Sequence, residues 1–462
     1  MAVFAFVLLV AAAPIMRGGN RHVALILLEG AAMAFLALGL TGRTFTFRRP
    51  SLDTALLLVL LTSPVWLAII YLLPLPGELW TAMPGRAEYA QVMSRAGITD
   101  TTWLPVSLVP DATATSLSAG ILLVAGFLAG YWLSLPQLQM VVKVILGLAF
   151  IEIVLALLQA AGGTKSPLYF GAAGGRPMGT FANPNHLANY LAIALTLYIW
   201  LAWTTLARSR NRLHLERGTD SRVRRLAIWG AGGLIIAIGL FIARSRGAML
   251  AGLPAALAAL ALVVIDATRT RNWRVIAPVL GIALGLAVAM VGFDFALSRF
   301  RTEDLGASAE IRNLLARTTL EGALQFWPTG AGWGTYETVY PRFQPAEIVG
   351  VANYAHQDYA QLLFEGGIFA IVLMAAFAWL AGKRTVLLVR TARRRRLRRE
   401  EMLCAICGLG LLGFLLHSFV EFNMHIPANA IMASLLAGIF LRPFEDDPSR
   451  TPEQPQEAVA ND

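Results

Sequence analysis

The chain has 462 residues, of which 57% are hydrophobic and only 14% are charged, and it carries a formal net charge of +10 at pH 7. Soluble domains carry about 25% charged residues, so the composition excludes an ordinary soluble protein and indicates an integral membrane protein. The apolar runs are long enough for helical spans, which need roughly 20 residues each, and the alternating strand patterns of an outer-membrane barrel are absent from the sequence.

The hydropathy pattern predicts an all-α polytopic membrane protein with about 12 transmembrane helices. The predicted spans lie near residues 2–16, 22–40, 52–73, 117–134, 138–160, 186–207, 226–243, 247–266, 275–293, 357–380, 402–420 and 427–441. The first span lacks a basic start and is followed at once by another span, so we interpret it as a helix rather than a signal peptide. Residues 1–441 are therefore predicted to form one transmembrane domain, and the Pro-, Glu- and Asp-rich residues 442–462 a disordered cytoplasmic tail.

The loops differ in charge. One set of loops holds 22 Lys and Arg residues, whereas the opposite set holds about 13 spread over much longer loops. The positive-inside rule then predicts a multi-pass membrane protein with both termini in the cytoplasm. The basic run Arg393–Arg399 is interpreted as an anchor that touches anionic membrane lipids, and no nucleic-acid partner is predicted.

Two predicted loops on the outer side are too long to be simple turns, since loops longer than about 15 residues are usually functional or disordered. They cover residues 74–116 and residues 294–355, and the second loop lies between the ninth and tenth predicted spans. Within the second loop, the apolar spacing of Ala307–Phe326 predicts an amphipathic helix. A Gly-rich turn with aromatic neighbours, Trp327–Tyr336, follows it.

A charged residue costs roughly 2.5–3.5 kcal/mol at the centre of a membrane helix, so charged residues near or within spans need an explanation. On the predicted outer side they are Arg176, His186, Arg244, Arg246, Arg312, His356, Asp358, Glu421 and His425. The two arginines of A-R-S-R-G (Ala243–Gly247) offer planar forks suited to phosphate, although snorkelling towards lipid phosphates is the alternative.

The segment Gly175–His186 ends just before a predicted span. Pro184 disfavours helical geometry at Asn183, and Asn185 is placed to cap the following helix. Capping explains one asparagine but not the whole run of Arg176, Asn183, Asn185 and His186. Such groups are suited to the recognition of carbohydrate or phosphate.

His356 lies where the second long loop meets an apolar run. A histidine can take a proton from a hydroxyl near neutral pH, so it is a candidate general base. The alternative is a structural histidine that caps the next helix, and Asp358 either orients it or favours the positive end of that helix.

The spacing of His417, Glu421 and His425 would place them on one helix face if the helix continued. Metal sites need about three or four ligands, and a buried polar cluster is the preferred interpretation. Glu29 and the span carboxylates Glu152 and Glu365 suit interhelical hydrogen bonds or a proton path. No P-loop, H-E-x-x-H or G-x-S-x-G motif occurs, so we expect no metal and no cofactor.

Taken together, the outer-side motifs resemble the O-antigen ligase and O-antigen polymerase superfamily. The matching pieces are R-P-M-G-T-F-A-N-P-N (Arg176–Asn185), S-R-G-A (Ser245–Ala248), Arg312 with P-T-G-A-G-W-G (Pro328–Gly334), A-H-Q-D-Y (Ala355–Tyr359) and H-S-F-V-E-F-N-M-H-I-P-A (His417–Ala428). They occur in family order over roughly the last 290 residues. Gln357 stands where the family commonly has Asn.

The resemblance implies a glycan donor on undecaprenyl diphosphate and transfer at the periplasmic face. It implies that Arg246 and Arg312 engage the diphosphate and that His356 lies at the reaction centre. The predicted catalytic residues are therefore His356, Arg246 and Arg312. The predicted substrate-binding residues are Arg176, Asn183, Asn185, His186, Arg244, Asp358, Trp333, Tyr336 and Glu421.

The chemistry agrees with this resemblance. Nucleotide sugars are absent outside the inner membrane, so the donor must bring its own leaving group, which arginines can neutralise. We expect single displacement with inversion, and a large loop that covers the glycan as a lid. The acceptor is lipid A–core for a ligase, or a growing chain for an O-antigen or exopolysaccharide polymerase. A lipid-linked glycan flippase and a non-catalytic assembly subunit are alternatives from other classes.

Overall fold

The computed structural model describes residues 1–19, 21–42, 52–97, 102–170, 175–212, 219–268 and 304–443. In chain order the helices and strands are α1 (Ala2–Ile15), α2 (His22–Thr41), α3 (Leu52–Leu61), α4 (Ser63–Leu72), β1 (Pro74–Leu75), α5 (Gly77–Ala82), α6 (Ala87–Arg95), β2 (Leu104–Pro105), α7 (Pro110–Trp132), α8 (Leu135–Gly162), α9 (Pro184–Arg212), α10 (Thr219–Ile242), α11 (Arg246–Thr268), α12 (Asp304–Gln325), α13 (Tyr336–Val339), α14 (Asp358–Arg394), α15 (Arg399–His417) and α16 (Pro427–Leu441). Short 3₁₀ turns lie at Arg17–Gly19, Pro167–Tyr169, Tyr340–Arg342 and Asn423–His425.

The architecture is helical, as predicted. Among the described residues, 8 helices are long and apolar enough to cross a membrane, and α3 and α4 are apolar and long enough only as a pair, which is bent by 56°. The shorter apolar helices α1 and α16 complete the set. Every predicted span coincides with one of these helices except 275–293, which lies outside the described residues, so the count of about 12 stays a prediction.

The core of the membrane domain includes a close contact between α7 and α16. A Cβ atom at Gly130 would lie 2.3 Å from the carbonyl oxygen of Leu435, and one at Gly438 would lie 2.0 Å from that of Phe127. Glycines at such positions let two helix backbones approach closely, which is how membrane helices associate when lipid is as apolar as the side chains. This contact holds α16 against the bundle and fixes the segment that enters it, residues 418–426.

The loops separate into two ends of the bundle. At one end, Leu397 donates its backbone N–H to Asp266 at 3.0 Å, and Arg384 donates to the carbonyl of Phe440 at 2.8 Å. At the other end lie the start of α9, the α10–α11 link, α12 and residues 418–426. We call this second end the polar end.

A cap of short elements covers part of the polar end. Its longest element is α12, which occupies the position of the predicted amphipathic helix and packs against α14. Helix α14 is interrupted at Gly367, where φ is +49°. The turn that follows α12 forms backbone hydrogen bonds with α14 at this interruption. Ala331 donates to the carbonyl of Phe364 at 2.9 Å, and Ile368 donates to that of Pro328 at 2.8 Å.

Three carboxylates on the helices bind neighbouring segments. Glu152 accepts hydrogen bonds from the backbone and hydroxyl of Thr180 at 2.8 and 2.6 Å. Glu365 accepts from the backbone N–H of Gly334 at 2.9 Å, and Glu29 accepts from the hydroxyl of Ser118 at 3.1 Å. Of these contacts only that of Glu29 with Ser118 joins two helices, whereas Glu152 and Glu365 bind the segments that precede α9 and α13.

Candidate active site

His356 is held in an unusual backbone conformation directly before α14. Its φ is +51°, in the left-handed region, which costs a non-glycine residue roughly 1–2 kcal/mol. Such strain persists only where the surroundings fix the residue, and it is concentrated at functional sites. The surroundings that fix His356 are its ring contacts.

Glu421 is the centre of these contacts. Its Oε1 atom lies 3.0 Å from Nδ1 of His356, and its Oε2 atom lies 3.5 Å from Nη2 of Arg312. Asn185 donates its side-chain amide to the same Oε2 atom. The Glu421 side chain is 1% exposed, whereas those of His356 and Arg312 are 29% and 34% exposed. A buried carboxylate thus holds two groups that remain accessible.

The charge of Glu421 determines how the His356 ring is protonated. Burial raises the pKa of Glu421, but the hydrogen bond from His356 and the neighbouring cationic groups, Arg312 among them, outweigh it and lower the pKa to about 2. An ionised carboxylate can only accept hydrogen bonds, so Nδ1 of His356 must carry the hydrogen. In the neutral ring, Nε2 is then an acceptor with a free lone pair, which is the arrangement of a general base.

Phe422 forms the aromatic centre of the site. The His356 and His186 rings each meet it edge-on, with centroid distances of 4.7 Å, and Tyr354 stacks on it at 4.3 Å. Phe422 therefore fixes the plane of the His356 ring while Glu421 fixes its rotation. The sequence analysis did not single out Tyr354 or Phe422, although Phe422 lies inside a matched motif.

Asp358 does not orient His356. Its carboxylate lies 2.9 Å from Nδ1 of His425 and accepts the backbone N–H of Met424 at 3.0 Å. Burial lowers the pKa of His425, but the hydrogen bond and charge of Asp358 reverse this and raise it above its ordinary value. Asp358 therefore joins the start of α14 to the segment that carries Glu421. A direct contact of Asp358 with substrate stays a prediction.

The start of α9 differs from the predicted cap. Asn183, not Asn185, acts as the cap, because its Oδ1 atom accepts the backbone N–H of Asn185 at 2.8 Å. Pro184 occupies the first helical position, where its fixed φ is favourable. Asn185 is thereby free to point towards Glu421, and His186 to meet Phe422. Both predicted residues reach the site through α9.

The arginines form two groups at the polar end. Arg312 belongs to the Glu421 group, whereas Arg176 donates to the backbone carbonyl of Arg244 at 3.1 Å. Arg246 begins α11, and a Cβ atom at Gly247 would lie 2.6 Å from the His417 ring. The glycine of the S-R-G motif thus allows α11 to begin directly against α15.

His417, Glu421 and His425 do not share a helix face, because α15 ends at His417. His417 instead places its Nδ1 atom 3.2 Å from Oδ1 of Asn189. In the described part of the chain, no group of three or more His, Cys, Asp and Glu side chains is positioned to hold a metal ion. The preferred interpretation of a buried polar cluster agrees with these contacts.

Trp333 and Tyr336 lie within the packing of the cap. Tyr336 is 1% exposed, bonds to the hydroxyl of Thr319 at 2.8 Å and stacks on Tyr340. Trp333 packs against the buried cluster of Leu67, Tyr71, Val106 and Leu117 and against Gly366. Both positions indicate a structural role, and stacking of either ring on a sugar stays a prediction.

Comparison with known proteins gives one family. The family model described as O-Antigen ligase matches residues 231–375, a range that includes Arg244, Arg246, Arg312 and His356. This match confirms the resemblance to the O-antigen ligase and polymerase superfamily. No curated protein sequence matches the chain significantly.

Proposed function

We propose that the protein is a glycosyltransferase of the ligase type, and the match of the O-antigen ligase family model to residues 231–375 supports this. Its donor is a glycan on undecaprenyl diphosphate, and its acceptor is a saccharide such as lipid A–core. The reaction takes place at the periplasmic face of the bacterial inner membrane and needs no metal.

The single observation that carries this proposal is the bonding of Glu421. One buried carboxylate holds an accessible imidazole through one oxygen and lies near an accessible guanidinium with the other. A base for a hydroxyl and a cation for a phosphate are thereby placed at the two oxygens of the same carboxylate. Displacement of a diphosphate by a sugar hydroxyl needs both.

In the proposed step, Nε2 of His356 takes the proton of the acceptor hydroxyl as its oxygen attacks the anomeric carbon of the donor. The new glycosidic C–O bond forms while the C–O bond to the diphosphate breaks. The electron pair of that bond leaves with the lipid diphosphate. Attack from the face opposite the leaving group inverts the anomeric centre.

The arginines supply the electrostatic part of catalysis. The leaving diphosphate gains negative charge in the transition state, and preorganised cations that face this charge are the largest contributors in many enzymes. Arg312 lies next to Glu421, which holds its guanidinium near the base. We assign the diphosphate to Arg312 and Arg246, with Arg176 and Arg244 as further contacts.

The test uses purified lipid-linked donor and measures transfer in detergent. His356→Ala should lower kcat on the order of 10²–10⁴-fold, which is the usual contribution of a general base. His22→Ala is the matched control, because His22 is an exposed histidine at the start of α2. Equal rates in both variants, at equal protein levels, would overturn the assignment of the base.

Arg312→Lys tests the diphosphate contact in the same assay. A lysine keeps the charge but loses the planar fork, so we expect a marked loss of rate. Arg317→Lys is the control, since Arg317 lies on the same helix with a side chain that is 79% exposed. Wild-type turnover of Arg312→Lys would indicate that the arginine only neutralises its surroundings.

The acceptor is identified by deletion of the gene and analysis of surface glycans. A ligase leaves lipid-linked polymer and bare core, which is the expected result. Single repeat units on the core would indicate a polymerase of the same superfamily instead. Loss of an exopolysaccharide alone would indicate a polymerase for that polymer.

A further inference from the structure

An open groove of about 460 Å³ lies in the cap, apart from the Glu421 group. It is formed by α5, α6, β2 with the segment that follows it, and Arg342. Among its lining residues are Trp80, Glu88, Tyr89, Leu104, Leu108 and Arg342. None of them is used in the proposed reaction.

The floor of the groove is held rigidly. Trp80 donates its indole N–H to the carbonyl of Pro105 at 2.8 Å. The guanidinium of Arg86, which is 0% exposed, lies 5.0 Å from the Trp80 ring centroid and donates to the carbonyl of Val106 at 2.5 Å. A rigid aromatic floor lowers the entropy that a ligand loses when it binds.

One rim of the groove combines an aromatic ring with a charged pair. The guanidinium of Arg342 lies 5.4 Å from the Tyr89 ring centroid, and its Nη2 atom lies 2.9 Å from Oε1 of Glu88. Hydrogen bonds to Gly85 and Gln325 at 3.2 and 3.4 Å fix the same guanidinium. The Glu88 side chain is 68% exposed, so its carboxylate can accept further hydrogen bonds.

We propose that this groove binds a saccharide unit of the glycan, at a distance from the reaction centre. The apolar C–H face of a sugar ring fits an aromatic wall such as Tyr89, and its hydroxyls fit Glu88 and Arg342. An acyl chain would displace the water that hydrogen-bonds to this charged pair and would offer no hydrogen bonds in its place, which is costly. The observed combination of apolar wall and charged rim therefore favours a saccharide.

The position along α12 indicates which part of the glycan is held. Arg312 and Gln325 lie on this one helix, and the rise per residue separates them by about 20 Å. This distance corresponds to several sugar units, so the groove holds the glycan chain away from the sugar that reacts. The inference rests on the proposed function for the identity of the ligand.

Binding is measured separately from catalysis. The probe is the oligosaccharide released by mild acid from the host cell's own lipid-linked glycan, titrated into the detergent-purified His356→Ala protein by calorimetry. In that background, Tyr89→Ala and Glu88→Gln should each raise Kd by about tenfold. Trp103→Ala is the matched control, because Trp103 is 63% exposed and does not line the groove.

Kinetics give the second measurement. In the active protein, the same two substitutions should raise KM for long glycans by about tenfold and leave KM for one- or two-sugar substrates and kcat unchanged. Unchanged Kd and KM in both variants would overturn the inference. It would also be overturned if a labelled acyl chain bound in the groove and the oligosaccharide did not. If the wild-type protein transferred glycan but the His356→Ala protein bound no oligosaccharide, the inference would be overturned while the proposed function stayed intact.

Discussion

At the scale of single residues, the site depends on a carboxylate that does not itself meet the substrate in the proposed reaction. Glu421 is a positioning residue, since it acts on the sugar hydroxyl only through His356. It also carries the charge that determines which nitrogen of His356 holds the hydrogen. A substitution that keeps its shape but removes that charge isolates this role.

Glu421→Gln is therefore expected to lower kcat on the order of 10²–10⁴-fold with little change in KM, because an amide can present either a donor or an acceptor to Nδ1. Steady-state kinetics with the lipid-linked donor give both parameters. Glu421→Asp restores an ionised acceptor, although its shorter side chain places the carboxylate farther from His356. It should therefore recover only part of kcat.

The matched control is Glu321→Gln, a carboxylate whose side chain is 56% exposed on α12. It should leave both parameters unchanged. If Glu421→Gln instead raised KM and kept kcat, the carboxylate would serve in binding, as the sequence analysis first assigned it.

Sequence reasoning singled out residues that the structure brings together, but it did not predict their pairing. It identified His356 and Arg312 from their types and positions, and both meet at one carboxylate. For Asp358, two positions further along the chain, it left two alternatives, which were orientation of His356 and stabilisation of the start of the next helix. The structure pairs His356 with Glu421, which is 65 positions away. Single-sequence patterns report local spacing, whereas this partner is determined by the packing of α16 and of residues 418–426.

At the scale of elements, the site depends on how the cap is fixed to α14. The helix breaks at Gly367, and the turn before α13 inserts its backbone groups at the break. This explains the glycines of the P-T-G-A-G-W-G motif by backbone approach: a Cβ atom at Gly330 would lie 2.4 Å from the carbonyl oxygen of Glu365. The cap also carries Arg312, so its attachment determines where the guanidinium lies.

Gly367→Ala should therefore destabilise the protein by about 1–2 kcal/mol or more from the positive φ alone. The added Cβ atom would also lie 2.1 Å from the carbonyl oxygen of Pro328. We expect a lower unfolding temperature of the detergent-purified protein and reduced transfer. Gly382→Ala is the control on the same helix, since its Cβ atom would meet nothing within 4 Å. Equal unfolding temperatures for the two variants would contradict the proposed attachment.

The pair of Asp358 and His425 joins α14 to the segment that carries Glu421. The pKa of His425 is raised above its ordinary value, so its protonated form is favoured by folding. This stabilisation is fully present below the unfolded pKa near 6.5, and it is lost as the pH rises through the raised pKa of the folded protein.

The stability difference between the wild type and His425→Gln should consequently be larger at pH 5.5 than at pH 9. Unfolding temperatures of both proteins across this range measure it. His22→Gln is the control, and its difference from the wild type should not follow the same trend. A constant difference for His425→Gln would show that the pair contributes nothing dependent on protonation.

At the scale of the whole molecule, the two ends of the bundle differ in kind. The polar end gathers His356, Glu421 and the arginines, whereas the basic run Arg393–Arg399 lies at the far end of α14. After its break at Gly367 this helix continues to Arg394, a length of about 40 Å, which exceeds the roughly 30 Å hydrocarbon layer. Its two ends must then lie on opposite sides of a membrane that it crosses.

The helical class and most span positions follow from hydropathy, because long apolar runs have few other solutions in a bilayer. The structure of the cap does not follow in the same way. Its elements are short, and its interior depends on contacts such as the 2.7 Å hydrogen bond between the hydroxyls of Thr318 and Tyr340. Neither hydroxyl is marked by any periodicity in the sequence.

The sidedness of the molecule is the last property to test, and the native cysteines permit a direct experiment. Cys404 and Cys407 are both 0% exposed, so a single added cysteine should carry nearly all of the label. Val349→Cys places a thiol in the cap, where Val349 is 96% exposed, and Ala392→Cys places one near the end of α14 on an exposed residue.

A membrane-impermeant maleimide applied to intact spheroplasts should label Val349→Cys and leave Ala392→Cys unlabelled until the membrane is permeabilised. We expect this pattern because the loops at the Ala392 end are rich in Lys and Arg, and such loops remain in the cytoplasm. The unsubstituted protein controls for background labelling. The reverse labelling pattern would place the Glu421 group in the cytoplasm, where nucleotide-activated donors exist, and would remove the chemical reason for a lipid diphosphate donor.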